Sequence, residues 1–166
     1  MKKLADKIKR VGLIGNSEKV SSASALTKAA KLIRDAGRTV FSDANTAQLA
    51  RLNGTVCLDP AELASAVDML LVFGGDGTML RVAREIAGSQ TPIIGINIGG
   101  LGFLTAVPSS GMPAALRKVW NGEFLFEPRA LIEADIRCDG KPIRQTALND
   151  LVINRGIASR LIELHV

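Results

Sequence analysis

The sequence has 166 residues, of which 47% are hydrophobic and 22% charged, a composition that predicts a folded domain with a packed core rather than a disordered chain. The net charge of +5 suits an anionic small molecule as a partner. Basic residues are scattered after the N-terminus and only 4% of residues are aromatic, so a surface that stacks nucleic-acid bases is disfavoured.

The N-terminal segment is basic and is interpreted as a solvated leader. The cysteines, Cys57 and Cys138, lie far apart and outside any CxxC pair, so neither a zinc site nor a disulfide framework is indicated. No apolar run reaches the roughly 18 residues that span a membrane. We therefore expect a cytoplasmic protein with neither a membrane nor a nucleic-acid partner.

The first part of the chain alternates short apolar strands with helical segments. Strands are predicted at residues 11–15, 38–42, 55–58, 68–73 and 91–97. Helices are predicted at residues 22–36, 44–52, from Pro60 onward, at 79–87 and at 112–121, where Gly122 ends the last one. Such alternation predicts the α/β class, with a doubly wound, mostly parallel sheet.

The pattern changes after residue 122. Strands with alternating polarity are predicted at residues 124–126, 131–138, 142–153 and 160–166, around a turn at Asp139 and Gly140. We expect an α/β domain over residues 1–122, followed over residues 123–166 by the first strands of an incomplete, all-β, sandwich-like domain. A chain that stops within a strand exposes an unpaired edge, which indicates truncation.

A glycine-rich turn with a carboxylate follows the strand at residues 68–73. This glycine turn consists of Gly74, Gly75, Asp76, Gly77 and Thr78. At a helix N-terminus, free N–H groups and the helix dipole favour an anion, and glycine lets a phosphate approach the backbone. A β-hairpin turn is the alternative, but the segment that follows has helical periodicity rather than that of a returning strand.

The carboxylate of Asp76 repels phosphate, so it needs a role in binding a cation or accepting a proton. The turn lacks the lysine of a Walker loop, and Leu80 stands where a Rossmann fingerprint requires glycine. The type that remains is the loop of a hydroxyl kinase, in which Asp76 activates the acceptor hydroxyl.

Two further segments are candidates for ligand contacts. The loop over residues 97–105, from Asn97 through Phe103, follows a buried strand, where ligands bind in open α/β sheets; a simple strand-to-helix loop is the alternative. Asn149 and Asp150 interrupt an apolar strand and point to opposite faces, so at least one should meet a buried face or a cleft. A ribose diol would satisfy them, and so would a turn or a backbone partner.

Two arginines are weaker candidates. Arg81 lies one helical turn after the glycine turn and can reach a bound phosphate, although an exposed helix arginine is the simpler interpretation. Arg160 follows a turn at Gly156 and by itself is an ordinary loop arginine.

The glycine turn, the 97–105 loop with its Gly-Phe-Leu-Thr ending, and the stretch Ala147-Leu148-Asn149-Asp150 together resemble the NAD kinase family in order and separation. The glycine turn alone also occurs in diacylglycerol and sphingosine kinases and, as a variant, in phosphofructokinases. The resemblance covers nearly the whole chain from Val11. It implies transfer of the γ-phosphoryl group of ATP, or of polyphosphate in some members, to the adenosine ribose 2′-hydroxyl of NAD, which gives NADP.

The resemblance also implies roles for individual residues, with Asp76 as the general base. Substrate contacts are expected from the remaining candidates: Gly74, Gly75, Gly77, Thr78, Arg81, Asn97, Phe103, Asn149, Asp150 and Arg160. A divalent cation, Mg²⁺, is carried with ATP, so no dedicated metal site on the protein is predicted. The full-length form is expected to be a homo-oligomer, either a dimer or a tetramer.

Members of the family continue into a β-sandwich, in which a Thr-Pro-Thr-Gly-Ser-like stretch completes the nucleotide site, and this chain ends before it. We therefore expect the 166-residue chain to form little or no NADP. The alternatives are a non-catalytic dinucleotide-binding or assembly module and a lipid kinase of the diacylglycerol or sphingosine kinase type. The second and third motifs argue against the lipid kinase.

Overall fold

The structure is a computed structural model that describes residues 2–16, 22–57, 59–100, 102–138 and 141–153. In chain order its elements are α1 (Lys2–Ala5), β1 (Arg10–Gly15), α2 (Ser22–Asp35), β2 (Thr39–Asp43), α3 (Ala44–Ala50), β3 (Thr55–Cys57), α4 (Pro60–Ala66), β4 (Met69–Gly74), α5 (Asp76–Glu85), β5 (Ile93–Asn97), β6 (Val107–Pro108), α6 (Met112–Asn121), β7 (Ile132–Cys138) and β8 (Lys141–Ala147).

The first six strands form one parallel sheet in the order β3-β2-β1-β4-β5-β6. This confirms the predicted doubly wound sheet. The chain runs outward from β1 to β3 on one side and from β4 to β6 on the other, so the topological switch lies between β1 and β4. Ligands of open α/β sheets bind at the carboxyl ends of the strands beside such a switch, and the glycine turn begins at the carboxyl end of β4.

The two faces of the sheet are covered by different helices, and β4 is buried along its whole length. Leu71 and Phe73 face the core that includes α2 and α6. Leu70 and Val72 face the core that includes α4 and α5. Side chains alternate between faces along a strand, so burial on both sides produces the continuous apolar run seen in the sequence.

The helix boundaries follow the local signals. Pro60 occupies the first turn of α4, and the Asp59 carboxylate caps that helix by accepting the N–H of Glu62. Helix α6 ends at Gly122, whose φ of 79° is a left-handed conformation that glycine adopts without strain. Trp120 packs against the core, and the Arg38 guanidinium lies 3.9 Å from its ring centroid.

Two short elements were not predicted from the sequence. The N-terminal segment was interpreted as a solvated leader, but it contains α1, in which Ala5 is fully buried, and this helix lies against α6. Strand β6 has two residues and pairs with the end of β5. Both are too short for hydrophobic periodicity to reveal them.

Strands β7 and β8 form an antiparallel hairpin, with Ile132 opposite Ala147, as predicted around the Asp-Gly turn. The strand predicted at residues 142–153 is wrong beyond Ala147, because β7 begins at the residue opposite Ala147 and has no residue to pair with those that follow. The strand predicted at residues 124–126 is also wrong. Phe124 packs on the parallel-sheet core and edge-on against Phe126. The strand predicted at 160–166 lies outside the described residues.

Candidate active site

The glycine turn is divided between a strand and a helix. Gly74 is the last residue of β4, Gly75 is the N-cap of α5, and Asp76 is the first residue of that helix, three positions earlier than predicted. A Cβ on Gly74 would overlap the Thr78 hydroxyl, which is buried against it. Gly74 is therefore needed for close packing between the strand and the first turn of the helix.

The space where a side chain would stand is empty at Gly75 and at Gly77. A Cβ added to either one would meet no atom within 4 Å. The N–H groups of Thr78 and Met79 return to the Gly75 carbonyl at 3.0 and 3.2 Å. The N–H groups of Asp76 and Gly77, at the start of α5, are among those that have no hydrogen-bond partner within a helix. The start of α5 thus has the space and the donors that suit an anion.

The carboxylate of Asp76 is held by the 97–105 loop. Its Oδ2 accepts the Phe103 N–H at 2.8 Å, and its Oδ1 accepts the Leu104 N–H at 2.9 Å. The hydrogen bond from Phe103 contributes most, followed by that from Leu104, and with smaller contributions from the nearby Thr105 they lower the pKa of Asp76 against the opposing effect of partial burial. Asp76 is therefore ionised at neutral pH.

The 97–105 loop is organised from inside by Asn97. Its Nδ2 donates to the Gly100 carbonyl at 2.7 Å and to the Thr105 hydroxyl at 2.9 Å, while its Oδ1 accepts the Gly99 N–H at 2.8 Å. Asn97 is 6% exposed and Thr105 is 0% exposed. The Asn97 amide, a predicted substrate contact, thus bonds its own loop in this structure.

Comparison with known proteins identifies the family of this fold and site. The model of the ATP-NAD kinase N-terminal domain matches residues 11–124, which include the glycine turn and the 97–105 loop. The chain belongs to the NAD kinase family. This confirms the resemblance inferred from the three motifs. Asn149, Asp150 and Arg160 lie beyond the matched residues.

Relatives with the name NAD kinase extend the match in both directions. The NAD kinase of Burkholderia lata is 39% identical over 163 residues, which cover 98% of this chain and 54% of that protein. The NAD kinase of Paraburkholderia phymatum is 40% identical over 159 residues, which cover 95% and 53%. The chain thus spans about half the length of the curated relatives it matches.

A solved structure supports the fold assignment. The yeast NADH kinase complexed with NADH superimposes with a TM-score of 0.73 over 86% of this chain and 47% of that chain. The sequence identity is 17%, so the likeness shows the fold alone.

The other residues expected to bind substrate in the NAD kinase family are placed as follows. The Phe103 ring is 100% exposed although its N–H is bonded to Asp76. Arg81 lies on α5 and pairs with Glu85 at 2.7 Å. Asn149 and Asp150 are exposed and bond each other at 2.9 Å, in a segment that is not a strand. Arg160 lies outside the described residues.

These placements bring part of the predicted site together. The glycine turn, Asp76 and the 97–105 loop form one cluster at the carboxyl ends of β4 and β5. Strand β8, which leads to Asn149 and Asp150, approaches α5. Among the described residues neither side chain meets a buried face, because both are exposed, and the alternative that one of them lines a cleft stays a prediction.

Sequence reasoning missed Thr105 and the residues that support the end of β1. The N–H of Gly15 donates to the buried Thr46 hydroxyl at 2.8 Å, and the Asp43 carboxylate caps α3 by accepting the Thr46 N–H at 2.7 Å. An acidic residue at the end of the second strand binds ribose in Rossmann folds. Here the residue at that position stabilises a helix start. The described residues contain no group of three acidic, histidine or cysteine side chains that could hold a metal, and none of their helices is long and apolar enough to cross a membrane.

Proposed function

We propose that this chain carries the phosphoryl-transfer half of an NAD kinase site, which transfers the γ-phosphoryl group of ATP, or of polyphosphate, to the adenosine ribose 2′-hydroxyl of NAD. The observation that carries the proposal is the ionised carboxylate of Asp76 beside the open start of α5. Family membership supports it, as do the names of the relatives and the NADH bound to the yeast enzyme.

The start of α5 is the part of the site that suits phosphate. An anion there meets backbone N–H groups and the positive end of the helix dipole, and the missing side chains of Gly75 and Gly77 allow it to approach. In phosphoryl transfer, catalysis consists mainly of positioning and of stabilising charge on the transferred group. Rigid backbone donors serve both purposes without reorganising.

Asp76 accepts the proton of the attacking hydroxyl. Each of its oxygens accepts one backbone N–H and retains a further lone pair, so a ribose hydroxyl can still bond to it. The ribose oxygen forms a bond to the γ-phosphorus, the bond from that phosphorus to the β-γ bridging oxygen breaks, and the hydroxyl proton moves to Asp76. The lowered pKa makes Asp76 a weak base, which is sufficient when the transition state is loose and the proton leaves late.

The remaining candidates position the substrates. The exposed Phe103 ring can stack on an adenine or nicotinamide ring, and its backbone amide ties that contact to Asp76. Arg81 can exchange its surface pairing with Glu85 for a phosphate. We further propose that Asn149 and Asp150 hold the nucleoside and that Arg160 contacts the dinucleotide, as the family resemblance implies.

A divalent cation fits this arrangement as part of the nucleotide. Both oxygens of Asp76 are bonded to amides, and no cluster of metal-binding side chains occurs among the described residues. Mg²⁺ carried by ATP neutralises charge on the phosphates. The protein then contributes amides and the proton acceptor.

The proposal is tested by measuring binding and turnover separately. Amide resonances of the purified chain are followed by NMR during titration with NAD and with Mg-ATP, and NADP is measured with an NADP-specific dehydrogenase. Expected results are binding of both ligands and shifts at Gly75 and Gly77, with α4 amides unchanged as an internal control. Binding without NADP supports the non-catalytic module instead. Phosphorylation of a diacylglycerol or sphingosine, with no response to NAD, supports the lipid kinase.

A further inference from the structure

Thr105 is the most deeply buried polar residue of the 97–105 loop. Its side chain is 0% exposed, and its hydroxyl accepts a hydrogen bond from Asn97 Nδ2 at 2.9 Å. The orientation of the Asn97 amide is unambiguous, because its oxygen accepts the Gly99 N–H and its nitrogen also donates to the Gly100 carbonyl. The lone pair that Thr105 gives to Asn97 leaves its single hydroxyl proton for another acceptor.

The carboxylate of Asp76 lies beside that hydroxyl, because the position of a Cβ on Gly102 is within 3 Å of an oxygen of each group. The carboxylate accepts the N–H groups of Phe103 and Leu104, and Thr105 makes smaller contributions that also lower the pKa of Asp76. An ionised carboxylate has no proton of its own, so toward Asp76 the hydroxyl can act only as a donor. Hydrogen bonds thus run from the Gly99 N–H through Asn97 to Thr105, whose hydroxyl lies beside the Asp76 carboxylate.

Gly102 provides the space in which the hydroxyl and the carboxylate meet. A Cβ at this position would overlap an oxygen of Asp76 and would lie 2.8 Å from the Thr105 hydroxyl oxygen. Gly100, two residues earlier in the same loop, is different, because a Cβ there would meet no atom within 4 Å. The requirement for glycine at 102 is therefore set by packing against Asp76.

We propose that Thr105 is a positioning residue for Asp76, and that Gly102 is the glycine whose missing side chain allows the contact. Asp76 is the first residue of a helix, where several rotamers are accessible to an unrestrained carboxylate. The buried hydroxyl, fixed by Asn97, holds the backbone at 103–105 and the carboxylate in one arrangement. The importance of this role for catalysis rests on the function proposed above; the positioning itself does not.

Charged groups near Asp76 are few. The 97–105 loop has no charged residue, and strands β4 and β5 have none. The charged residues elsewhere on α5 are Arg81, Arg84 and Glu85, and those on β8 are Lys141 and Arg144. Substituting an uncharged residue of the loop leaves these charges in place. A change in the pKa of Asp76 after such a substitution therefore reports on the hydrogen bonds that Asp76 accepts.

The test is a carboxyl-detected NMR titration of Asp76 in the unliganded 166-residue chain. Thr105→Val, which keeps the side-chain shape and removes the hydroxyl, should raise the pKa of Asp76 and move the amide proton resonances of Phe103 and Leu104 upfield. Thr105→Ser, which restores the hydroxyl, should leave the titration and both resonances close to those of the unmodified chain. If Val and Ser variants titrate as the unmodified chain does, the proposal is wrong.

Alanine substitutions at Gly102 and Gly100 test the proposal even if Thr105→Val fails to fold. Gly102→Ala should displace the carboxylate and raise the pKa of Asp76, whereas Gly100→Ala should change neither the titration nor the two amides. Equal behaviour of the two alanine variants would overturn the proposal. Binding of NAD and Mg-ATP is measured on the same samples, so a chain that shows the Asp76 effects but binds neither ligand refutes the proposed function and leaves the positioning role standing.

Discussion

The carboxylate of Asp76 accepts the backbone N–H of Phe103 at 2.8 Å, although the two residues are 27 positions apart in sequence. The contact joins the first turn of α5 to the loop after β5, and β4 and β5 are neighbours in the sheet. The carboxylate is thus oriented and ionised before any ligand arrives. A preorganised group of this kind needs no rearrangement during the reaction. Fixed dipoles and charges of this sort are usually the largest contribution to catalysis.

Replacing Asp76 with Asn should separate catalysis from binding. An amide cannot accept a hydroxyl proton as a carboxylate does, and its NH₂ group would face one of the two backbone N–H groups that now bond the carboxylate. We expect NADP formation to fall by about 10²- to 10⁴-fold, the usual contribution of a general base, with the NAD dissociation constant changed only a few-fold.

A coupled NADP assay and calorimetric titration with NAD measure these two quantities. Asp35→Asn is the matched control, because Asp35 pairs with Lys31 on the surface of α2. Measurable NADP formation by Asp76→Asn, at the level of the control, would exclude the base role.

Substitutions of two glycines in the same turn should have opposite consequences. Gly74→Ala forces a side chain into the Thr78 hydroxyl and should destabilise the fold by about 1–3 kcal/mol, as overpacking does. Gly77→Ala has open space and lies inside α5, so it should leave stability unchanged or raise it by up to about 1 kcal/mol. It should nevertheless weaken ATP binding, because the new methyl group obstructs the approach of phosphate to the backbone.

Urea denaturation and ATP titration distinguish the two effects. A Gly77→Ala variant that binds ATP as the unmodified chain does would place the phosphate elsewhere. A Gly74→Ala variant of undiminished stability would contradict the packing argument.

Arg81 should contribute to ligand binding and little to stability. Its pairing with Glu85 is an exposed helix pair, worth only about 0.3–0.5 kcal/mol, so a phosphate can displace it. Arg81→Ala should weaken ATP or NAD binding several-fold, with a reduced dependence on salt. Glu85→Gln releases the guanidinium and should leave binding equal or up to about two-fold tighter, by the same pair energy. Calorimetry at two salt concentrations tests this, and equal affinities for both variants would make Arg81 a surface residue.

Acid should destabilise the parallel-sheet domain in part through Asp68. Burial alone would raise the pKa of Asp68, but hydrogen bonds from the Arg10 guanidinium and from the N–H groups of Arg10 and Lys9 outweigh it and lower the pKa. A carboxyl group with a lowered folded-state pKa stabilises the fold fully above its unfolded pKa of about 3.9, and loses that contribution as pH falls through the folded value.

The free energy of unfolding should therefore change little between neutral pH and about pH 5 on account of this group, and fall below about pH 4. Asp68→Asn should be less stable at neutral pH and show a shallower loss in acid. Urea denaturation across this pH range measures the slope. An unaltered slope in Asp68→Asn would assign the acid sensitivity to other carboxylates.

Some elements were predictable because their signal is local. Residues 69–73 form an uninterrupted apolar run, and the periodicity then changes from strand to helix at the glycine turn, so both elements and their junction could be predicted. The start of α5 was placed three residues late, since glycine and aspartate are weak helix formers and hide a first turn that is stabilised by contacts with the 97–105 loop.

Other elements depend on partners that are distant in sequence. The polarity of residues 142–153 predicted a long strand, but the extent of β8 is set by where β7 begins. Asn97 was predicted to contact substrate because it ends a strand at the carboxyl edge of the sheet. That contact stays a prediction, and in the structure the amide is bonded to Gly99, Gly100 and Thr105, an arrangement that spacing along the chain does not reveal.

The sequence by itself determined the α/β class, the position of a phosphate-binding turn between a strand and a helix, and membership in the NAD kinase family, because each depends on local periodicity or on motifs read directly from the residues. The tertiary structure alone decided that the 97–105 loop folds back on Asp76. That contact requires β5 beside β4, a glycine at 102 to leave room, and a buried threonine hydroxyl that Asn97 fixes within the loop. Asp76 is present in the sequence, but its orientation and its lowered pKa come from amides that the fold brings to it.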